Sequence, residues 1–216
     1  MVYDSVLDTM GSTPLVRLNR IPDKDCAEVL VKFEAVNVGG SIKTRTAYNM
    51  LLQAEQRGEI SPGKTLIVEP TSGNQGIGIA MVGAVRGYDV LIIMPDSVSV
   101  ERRKLCKAYG AQVRLVHDAG DIGAAVTECS RIARELADAN ENVYMPDQFS
   151  NPDNVAIQRA QTATEILNDV DGTIDGFTCG FGTGGTITGI GAVLKEANPD
   201  TIVWAAAPEE AALISG

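Results

Sequence analysis

The stretch Asn37-Val38-Gly39-Gly40-Ser41-Ile42-Lys43 joins an apolar, strand-like run to a helix-like run that extends from Ser41 to about Gln56. Paired glycines at a strand-to-helix turn let backbone N–H groups approach a ligand closely, and Ser41 is a favourable N-cap residue. Lys43 then lies in the first helical turn, where the helix dipole destabilises a charged amine. A neutral amine can form a Schiff base. The alternative is an ordinary solvated lysine, so the interpretation depends on the rest of the chain.

Composition narrows the classes of partner. The chain has 216 residues, a hydrophobic content of 44% and a formal net charge of −10. This charge argues against nucleic acid or an anionic membrane surface as a partner. No apolar run reaches the roughly 18 residues of a membrane span. Any anion that binds must therefore be held by local N–H groups rather than by the field of the whole protein.

The cysteines and the N-terminus predict a cytoplasmic location. Cys26, Cys106, Cys129 and Cys179 are far apart and form no C-x-x-C pair, which is typical of reduced thiols and not of a disulfide framework or a zinc site. The first residues show neither a basic nor an apolar region of a signal peptide. A single histidine, His117, makes a metal site or a Ser-His-Asp triad improbable, so we expect no bound metal.

Strand-like and helix-like segments alternate along almost the whole chain, which predicts an α/β fold with a mostly parallel sheet covered by helices on both faces. The predicted strands are Thr13–Leu18, Glu28–Phe33, Leu66–Val68, Val90–Met94, Val113–Val116, Gly176–Cys179 and Ile202–Ala206. The predicted helices are Thr44–Gln56, Asn74–Val85, Val100–Tyr109, Ile122–Leu136, Asn154–Leu167 and Gly185–Glu196. Trp204 is expected in the core.

Three glycine-rich loops follow predicted strands and precede predicted helices: Val38–Lys43, Glu69–Gly76 and Gly180–Thr186. In α/β folds ligands bind beyond the carboxyl ends of the strands, where such loops lie. The third loop resembles a phosphate cradle, with N–H groups, two threonine hydroxyls and a helix N-terminus. The second suits a small carboxylate. We expect Gly185 to tolerate no side chain, because its backbone would approach an anion closely.

Two nucleotide-binding motifs are alternatives. Gly58–Thr65 fits the Walker A pattern, but it follows a helix and leads into a strand, which is the reverse of a P-loop. Gly180–Gly185 fits the dinucleotide pattern G-x-G-x-x-G in the correct strand-to-helix context, and Glu209 or Glu210 could bind the ribose. A dinucleotide-binding protein is therefore a competing hypothesis, although it gives the other two loops no role.

A set of motifs that covers essentially the whole chain resembles the cysteine synthase (O-acetylserine sulfhydrylase) and cystathionine β-synthase family of fold type II pyridoxal-phosphate (PLP) enzymes. The motifs, besides the loop that ends in Lys43, are Gly11-Ser12-Thr13-Pro14-Leu15, Thr71-Ser72-Gly73-Asn74, Met94-Pro95-Asp96, Ser99-Val100-Glu101-Arg102-Arg103, Gln148-Phe149 and Gly182–Thr186. The resemblance implies a tryptophan synthase β-like fold of two lobes. We expect residues 35–145 to form the smaller lobe, and residues 1–34 with 146–216 the larger one.

The resemblance also implies the residues of the site. Lys43 would be the Schiff-base lysine, and Gly182, Thr183, Gly184, Gly185 and Thr186 would hold the cofactor phosphate. Asn74 would contact the ring hydroxyl. The substrate carboxylate would be bound by the loop Thr71, Ser72, Gly73, Asn74 and Gln75, with help from Gln148.

The implied activity is β-replacement on a β-substituted L-amino acid through an aminoacrylate, with cysteine synthesis from O-acetylserine and sulfide as the leading case. Alternatives are cystathionine or lanthionine synthesis, β-elimination, and a catalytically weak homologue that binds a partner. The implied partners are a small amino acid and sulfide or a thiol. The resemblance further implies a homodimer and allows a contact with serine acetyltransferase.

Four features depart from the family pattern. The family usually has proline at Val38, aspartate at Thr44 and threonine at Gln75. Gln75 lies in the carboxylate loop, so the identity of the amino-acid donor stays open. Family members also continue beyond the position of Gly216, through a serine that faces the pyridine nitrogen. We therefore expect either a piece of a longer chain or an unusual enzyme.

Overall fold

The computed structural model describes residues 2–207, in which strands and helices alternate. The strands are β1 (Leu15–Arg17), β2 (Leu30–Lys32), β3 (Leu66–Pro70), β4 (Asp89–Pro95), β5 (Gln112–Val116), β6 (Val143–Tyr144), β7 (Gly176–Gly180) and β8 (Ile202–Ala206). The helices are α1 (Lys43–Gln56), α2 (Asn74–Arg86), α3 (Val100–Ala108), α4 (Ile122–Ala139), α5 (Pro152–Ile157), α6 (Thr164–Asp169) and α7 (Gly185–Ala197). Short 3₁₀ turns span Val6–Thr9 and Glu34–Val36, and a π-helical segment, Gln158–Ala163, joins α5 to α6.

The main sheet is parallel, with four strands in the order β5-β4-β3-β6. One face packs on α2, and α1 packs on α2 in the same core, which includes Met50, Ile79 and Ile92, all 0% exposed. The other face packs on α4 through Val68, Ile93 and Cys129. Strands β7 and β8 form a separate parallel pair against α7. The predicted α/β class is therefore confirmed, with β1 and β2 as an antiparallel exception.

Local differences from the sequence predictions have physical causes. Helix α1 begins at Lys43 and not at Ser41, although the Ser41 hydroxyl still accepts the Lys43 N–H at 3.2 Å. The prediction that Trp204 is buried was wrong, because this side chain is 65% exposed. It lies in β8, and α7 covers only one face of the β7–β8 pair. The short strand β6 escaped prediction because two residues show no periodicity.

The boundaries of the two predicted lobes, residues 35–145 and residues 1–34 with 146–216, remain a prediction. Residues 208–216 of the second lobe, with Glu209 and Glu210, lie outside the described residues. Within residues 2–207, no helix combines the length and the apolarity needed to cross a membrane.

A buried ion network holds the first turns of α1 in place. The guanidinium of Arg45 is 0% exposed and makes bidentate contacts with two carboxylates. Its Nε and Nη2 donate to Glu34 at 2.9 and 2.7 Å, and its Nη1 and Nη2 donate to Glu165 at 2.6 and 2.8 Å. Lys32 Nζ lies 2.9 Å from the same Glu165. Burial alone would raise the pKa of Glu165, but the hydrogen bonds from Arg45 and Lys32 lower it to about 2.

We predict that Arg45→Met lowers the free energy of unfolding by about 3–5 kcal/mol, because it removes the cation that pairs with Glu34 and leaves Glu165 with Lys32 alone. Urea unfolding followed by circular dichroism measures this change. The matched control is Arg57→Met, since Arg57 pairs with Glu59 and Asp153 on the surface, where an ion pair contributes little. Equal destabilisation by the two substitutions would contradict a special role for the buried network.

Candidate functional site

Lys43 and the third glycine-rich loop meet in the structure, although 140 residues separate them. Lys43 Nζ donates to Thr183 Oγ1 at 3.4 Å. The side chain of Lys43 extends from the first residue of α1, and Thr183 lies in the loop between β7 and α7. The structure thus places an amine beside the predicted phosphate cradle.

Helices α1 and α2 approach each other closely behind this amine. A Cβ atom on Gly78 of α2 would lie 3.0 Å from the backbone oxygen of Lys43 and 3.1 Å from Ala47 Cβ. Because Gly78 lacks that atom, the N-terminal end of α2 packs directly against the start of α1. This contact brings the second glycine-rich loop to the neighbourhood of Lys43.

The turn before Lys43 is held by its own side chains. Gly39 has a φ of +79°, a conformation that suits glycine. The hydroxyl of Thr44 donates to the Val38 carbonyl at 2.5 Å, and Gly40 N–H donates to the Asn37 carbonyl at 2.7 Å. Thr44, one of the departures from the family pattern, therefore closes the turn through a hydroxyl.

The cradle is formed by the turn from β7 into α7. Gly184 adopts a φ of +81°, and α7 begins at the next residue, so the N–H groups of its first turn lack acceptors within the helix and lie at the loop, where the Gly185 N–H donates to Thr183 Oγ1 at 3.4 Å. A Cβ atom on Gly180 or Gly182 would meet no heavy atom within 4 Å, so the loop borders open space. An anion in that space would meet N–H donors and the positive end of the helix dipole.

Gly185 is tightly packed against a side chain that sequence reasoning did not identify. A Cβ atom on Gly185 would overlap Oδ1 and the rest of the amide of Asn154, which is 2% exposed. The Asn154 amide is therefore by itself sufficient to make Gly185 intolerant of a side chain, and the close approach to an anion stays a prediction. Sequence reasoning could not tell these two causes apart.

The carboxylate loop has one exposed and one buried amide. Thr71 Oγ1 accepts the Gly73 N–H at 3.2 Å, which curls the loop, and Asn74 is exposed as the first residue of α2. Gln75 is only 1% exposed, and neither Oε1 nor Nε2 finds a partner among the described residues. Within residues 2–207, no side-chain hydrogen bond joins Lys43 to this loop.

Glu69, at the carboxyl end of β3, is a buried acid that sequence reasoning did not select. It is 0% exposed, its Oε2 accepts the Asp147 N–H at 3.2 Å, and its Oε1 has no partner among residues 2–207. Burial raises its pKa to about 8, although the N–H groups of Gln148 and Asp147 and the charge of Lys43 lower it. Asp147 has a φ of +50°, so Glu69 holds a strained turn, and the next residue, Gln148, is only 7% exposed.

The same surroundings change the pKa of Lys43. Burial lowers the pKa of its amine, and the nearby Glu69 carboxyl and Cys179 thiol, when ionised, raise it in part. The direction agrees with the sequence-based hypothesis of an amine that reaches its neutral, nucleophilic form more easily than a solvated lysine does. Among residues 2–207, no three His, Cys, Asp or Glu side chains cluster closely enough to hold a metal ion.

These residues fit pyridoxal phosphate. The group needs an amine for its aldehyde and N–H and hydroxyl donors for its phosphate. Lys43 supplies the first, and the Gly182–Thr186 loop at the start of α7 supplies the second. A half-buried amine of lowered pKa facing an anion cradle defines a lysine-dependent enzyme of the α/β class.

Comparisons with known proteins agree with the fit of these residues to pyridoxal phosphate. Residues 6–216 match the protein family described as "Pyridoxal-phosphate dependent enzyme". The cysteine synthase of Flavobacterium sp. is 44% identical over 216 residues, which are 100% of this chain and 68% of that protein. This chain therefore belongs to the pyridoxal-phosphate dependent enzyme family, which confirms the predicted family and cofactor and does not favour the dinucleotide hypothesis.

Two solved structures are also similar. A mutant of O-ureido-L-serine synthase bound to O-ureido-L-serine gives a TM-score of 0.90 at 44% identity, over 100% of this chain and 65% of that one. O-acetyl serine sulfhydrylase isoform 3 from Entamoeba histolytica gives a TM-score of 0.89 at 38% identity, over 100% of this chain and 64% of that one. The chain thus spans about two thirds of the length of these proteins.

We predict that Glu69→Gln flattens the pH dependence of stability between about pH 5 and about pH 8. The folded protein holds the Glu69 proton up to a pKa of about 8, whereas the unfolded chain releases it near 4.5. Folding therefore takes up a proton in this window, so Glu69 makes stability fall as pH rises. Urea midpoints of both proteins across the window test this. Glu128→Gln, on the exposed face of α4, should keep the slope of the original protein, and an unchanged slope in Glu69→Gln would refute the assignment.

Proposed function

We propose that this protein catalyses PLP-dependent β-replacement, with cysteine synthesis from O-acetylserine and sulfide as its principal reaction. The observation that carries the proposal is the contact between Lys43 Nζ and Thr183 Oγ1 at 3.4 Å, which joins an amine of lowered pKa to the cradle. The similarity to the Flavobacterium cysteine synthase at 44% identity supports the reaction type.

The cofactor, when bound, supplies an electron sink for the substrate's α-carbon. Lys43 would hold it covalently through Nζ, and Gly182–Thr186 would bind its phosphate. Lys43 Nζ, which lies beside the cradle, would also remove the α-proton of the bound amino acid. The lowered pKa of Lys43 favours this step, since a general base must be neutral to accept a proton.

The remaining predicted residues would orient the substrate. Asn74 would contact the ring hydroxyl. The substrate carboxylate would lie against the N-terminus of α2, where Thr71, Ser72, Gly73, Asn74 and Gln75 offer hydroxyl, amide and backbone donors, with the Gln148 amide opposite. The Gln148 turn that Glu69 fixes supports this arrangement, because a fixed turn keeps the amide in place before the substrate arrives.

We predict that borohydride reduction attaches the cofactor to Lys43, because its amine reaches the neutral form most easily. Peptide mapping by mass spectrometry identifies the labelled lysine. Lys43→Ala is expected to lower the rate of cysteine formation by about 10²–10⁴-fold, the usual contribution of a general base. The control Lys64→Ala, at an exposed turn between α1 and β3, should retain both label and activity. A label on Lys64 would overturn the assignment.

A second candidate is β-replacement with a different nucleophile. It is favoured by the 44% identity to O-ureido-L-serine synthase and by Gln75, which departs from the family pattern inside the carboxylate loop. A panel of O-acetylserine, O-phosphoserine, serine and cysteine as donors, each with sulfide, homocysteine or hydroxyurea, separates the candidates by mass spectrometry of the products. Cysteine as the main product from O-acetylserine and sulfide supports the principal proposal.

We further propose that the protein acts in the cytoplasm as a homodimer that can contact serine acetyltransferase. The four cysteines are free thiols, as is usual in a reducing compartment. The dimer and the contact rest on the family resemblance. Sedimentation of the purified protein, alone and with serine acetyltransferase, measures both.

A further inference from the structure

A chain of buried polar side chains runs behind the cradle and ends at Thr183. Its members come from α1, α5 and the π-helical segment. They are Thr162 and Gln158, each 0% exposed, Thr46, 1% exposed, and Asn154, 2% exposed. The function proposed above gives none of them a role.

Four hydrogen bonds connect the chain. The Thr162 hydroxyl lies 2.7 Å from Gln158 Oε1, and Gln158 Nε2 lies 3.3 Å from Thr46 Oγ1. Thr46 Oγ1 lies 3.2 Å from Asn154 Oδ1. Asn154 Nδ2 lies 2.9 Å from Thr183 Oγ1. The last bond joins the buried chain to the residue that Lys43 also contacts.

A single backbone carbonyl sets the direction of every bond. Asn154 lies 2.9 Å from the Gln148 carbonyl, which can only accept, so the Asn154 amide must turn its Nδ2 toward it. The oxygen of that amide then faces Thr46, whose hydroxyl must donate. Since the Thr46 proton is used, Thr46 accepts from Gln158, and Gln158 in turn accepts from Thr162.

The direction of these hydrogen bonds makes Thr183 Oγ1 an acceptor. Both protons of Asn154 Nδ2 are used, one toward Gln148 and one toward Thr183. Thr183 Oγ1 is therefore an acceptor for Asn154, and it also accepts from Lys43 Nζ and from the Gly185 N–H, each at 3.4 Å, so all three contacts use its lone pairs and none uses its proton. A hydroxyl has two lone pairs and one proton. In the part of the chain that the structure describes, no hydrogen bond uses that proton, so it remains free to donate into the cradle.

Two glycines of α7 leave space for this chain of buried polar side chains. Gly185 leaves space for the Asn154 amide, and a Cβ atom on Gly189, one turn later, would lie 2.6 Å from Gln158 Cβ. The π-helical segment Gln158–Ala163 carries Gln158 and Thr162 on the side that faces α1. Such π-helical segments occur frequently at functional sites.

We propose that Asn154 is a positioning residue that commits the Thr183 hydroxyl to donate to the phosphate of the cofactor. This inference rests on the proposed function. Because Thr183 Oγ1 accepts from Asn154, its own proton cannot point toward Asn154 and is directed to the cradle instead. The buried chain Thr46, Gln158 and Thr162 holds the Asn154 amide in the required orientation.

The test uses Asn154→Asp, which keeps the shape of the side chain but replaces the donor by an acceptor. Thr183 would then donate to residue 154, and its proton would be lost to the phosphate. The measurement is the ratio of the dissociation constants of pyridoxal and pyridoxal phosphate, obtained by absorbance titration of apoprotein prepared from the full chain. The bond to Lys43 contributes to both constants and cancels in the ratio. Because the lost hydrogen bond goes to a charged group, we expect the ratio to fall by about 10- to 100-fold.

A double-mutant cycle separates the direction of the hydrogen bond from simple charge repulsion. If Asp acts through Thr183, the effect of Asn154→Asp on the ratio shrinks to less than about threefold in a Thr183→Val background, which lacks the hydroxyl. In a Thr183→Ser background, which keeps the hydroxyl, the full effect of Asn154→Asp returns. An effect that is equal in both backgrounds would show repulsion alone and refute the proposal. Thr46→Val, which adds no charge, should lower the same ratio by a few-fold, and it replaces Asn154→Asp if the latter does not fold.

Asn49→Asp is the matched control. Asn49 is 8% exposed and donates to the Asp153 carbonyl at 2.8 Å, so the substitution also places a carboxylate against a backbone carbonyl between α1 and α5. It makes no contact with Thr183 and should leave the ratio unchanged. If the unmodified protein binds no pyridoxal phosphate, the proposed function fails as well. If it binds the cofactor but Asn154→Asp leaves the ratio of dissociation constants unchanged, only the positioning role is wrong.

Discussion

The buried guanidinium of Arg45 is the constraint on which the arrangement of the site depends. A charge that is 0% exposed is stable only when it is paired, and the partners here come from distant parts of the chain. Glu34 belongs to the turn before the glycine pair, and Glu165 belongs to α6. Because Arg45 lies two residues after Lys43, the ion network sets the direction in which α1 begins. The position of the Lys43 amine follows from that direction.

Much of the fold and part of the site could be predicted from sequence, because both depend on local patterns. Alternating segments gave the α/β class, and a lysine in the first helical turn after paired glycines marked Lys43. The contacts that complete the site are not local. Thr46 and Asn154 are 108 residues apart, and Lys43 and Thr183 are 140 residues apart. No period or motif encodes such pairs, so Asn154, Glu69 and Arg45 were seen only in the structure.

Gly185 and Trp204 show what a local pattern leaves undetermined. A glycine at a strand-to-helix turn indicates that something comes close, but the sequence does not say what, and in the structure it is the Asn154 side chain. An apolar strand indicates burial on at least one face. It does not tell which residues lie on the face that α7 leaves uncovered, which is where Trp204 lies. In both cases the missing information concerns tertiary neighbours rather than secondary structure.

The electrostatics of the chain explain why directed neutral donors matter at the cradle. The protein carries a formal charge of −10, so its general field repels an anionic ligand. Among residues 2–207, the cation that contacts the cradle is Lys43, whose pKa is lowered by burial and whose proposed chemistry requires the neutral amine. The affinity for a phosphate must therefore come from N–H groups, the dipole of α7 and hydroxyl protons. A hydroxyl helps only if its proton faces the anion, and the buried chain that ends at Asn154 provides that direction.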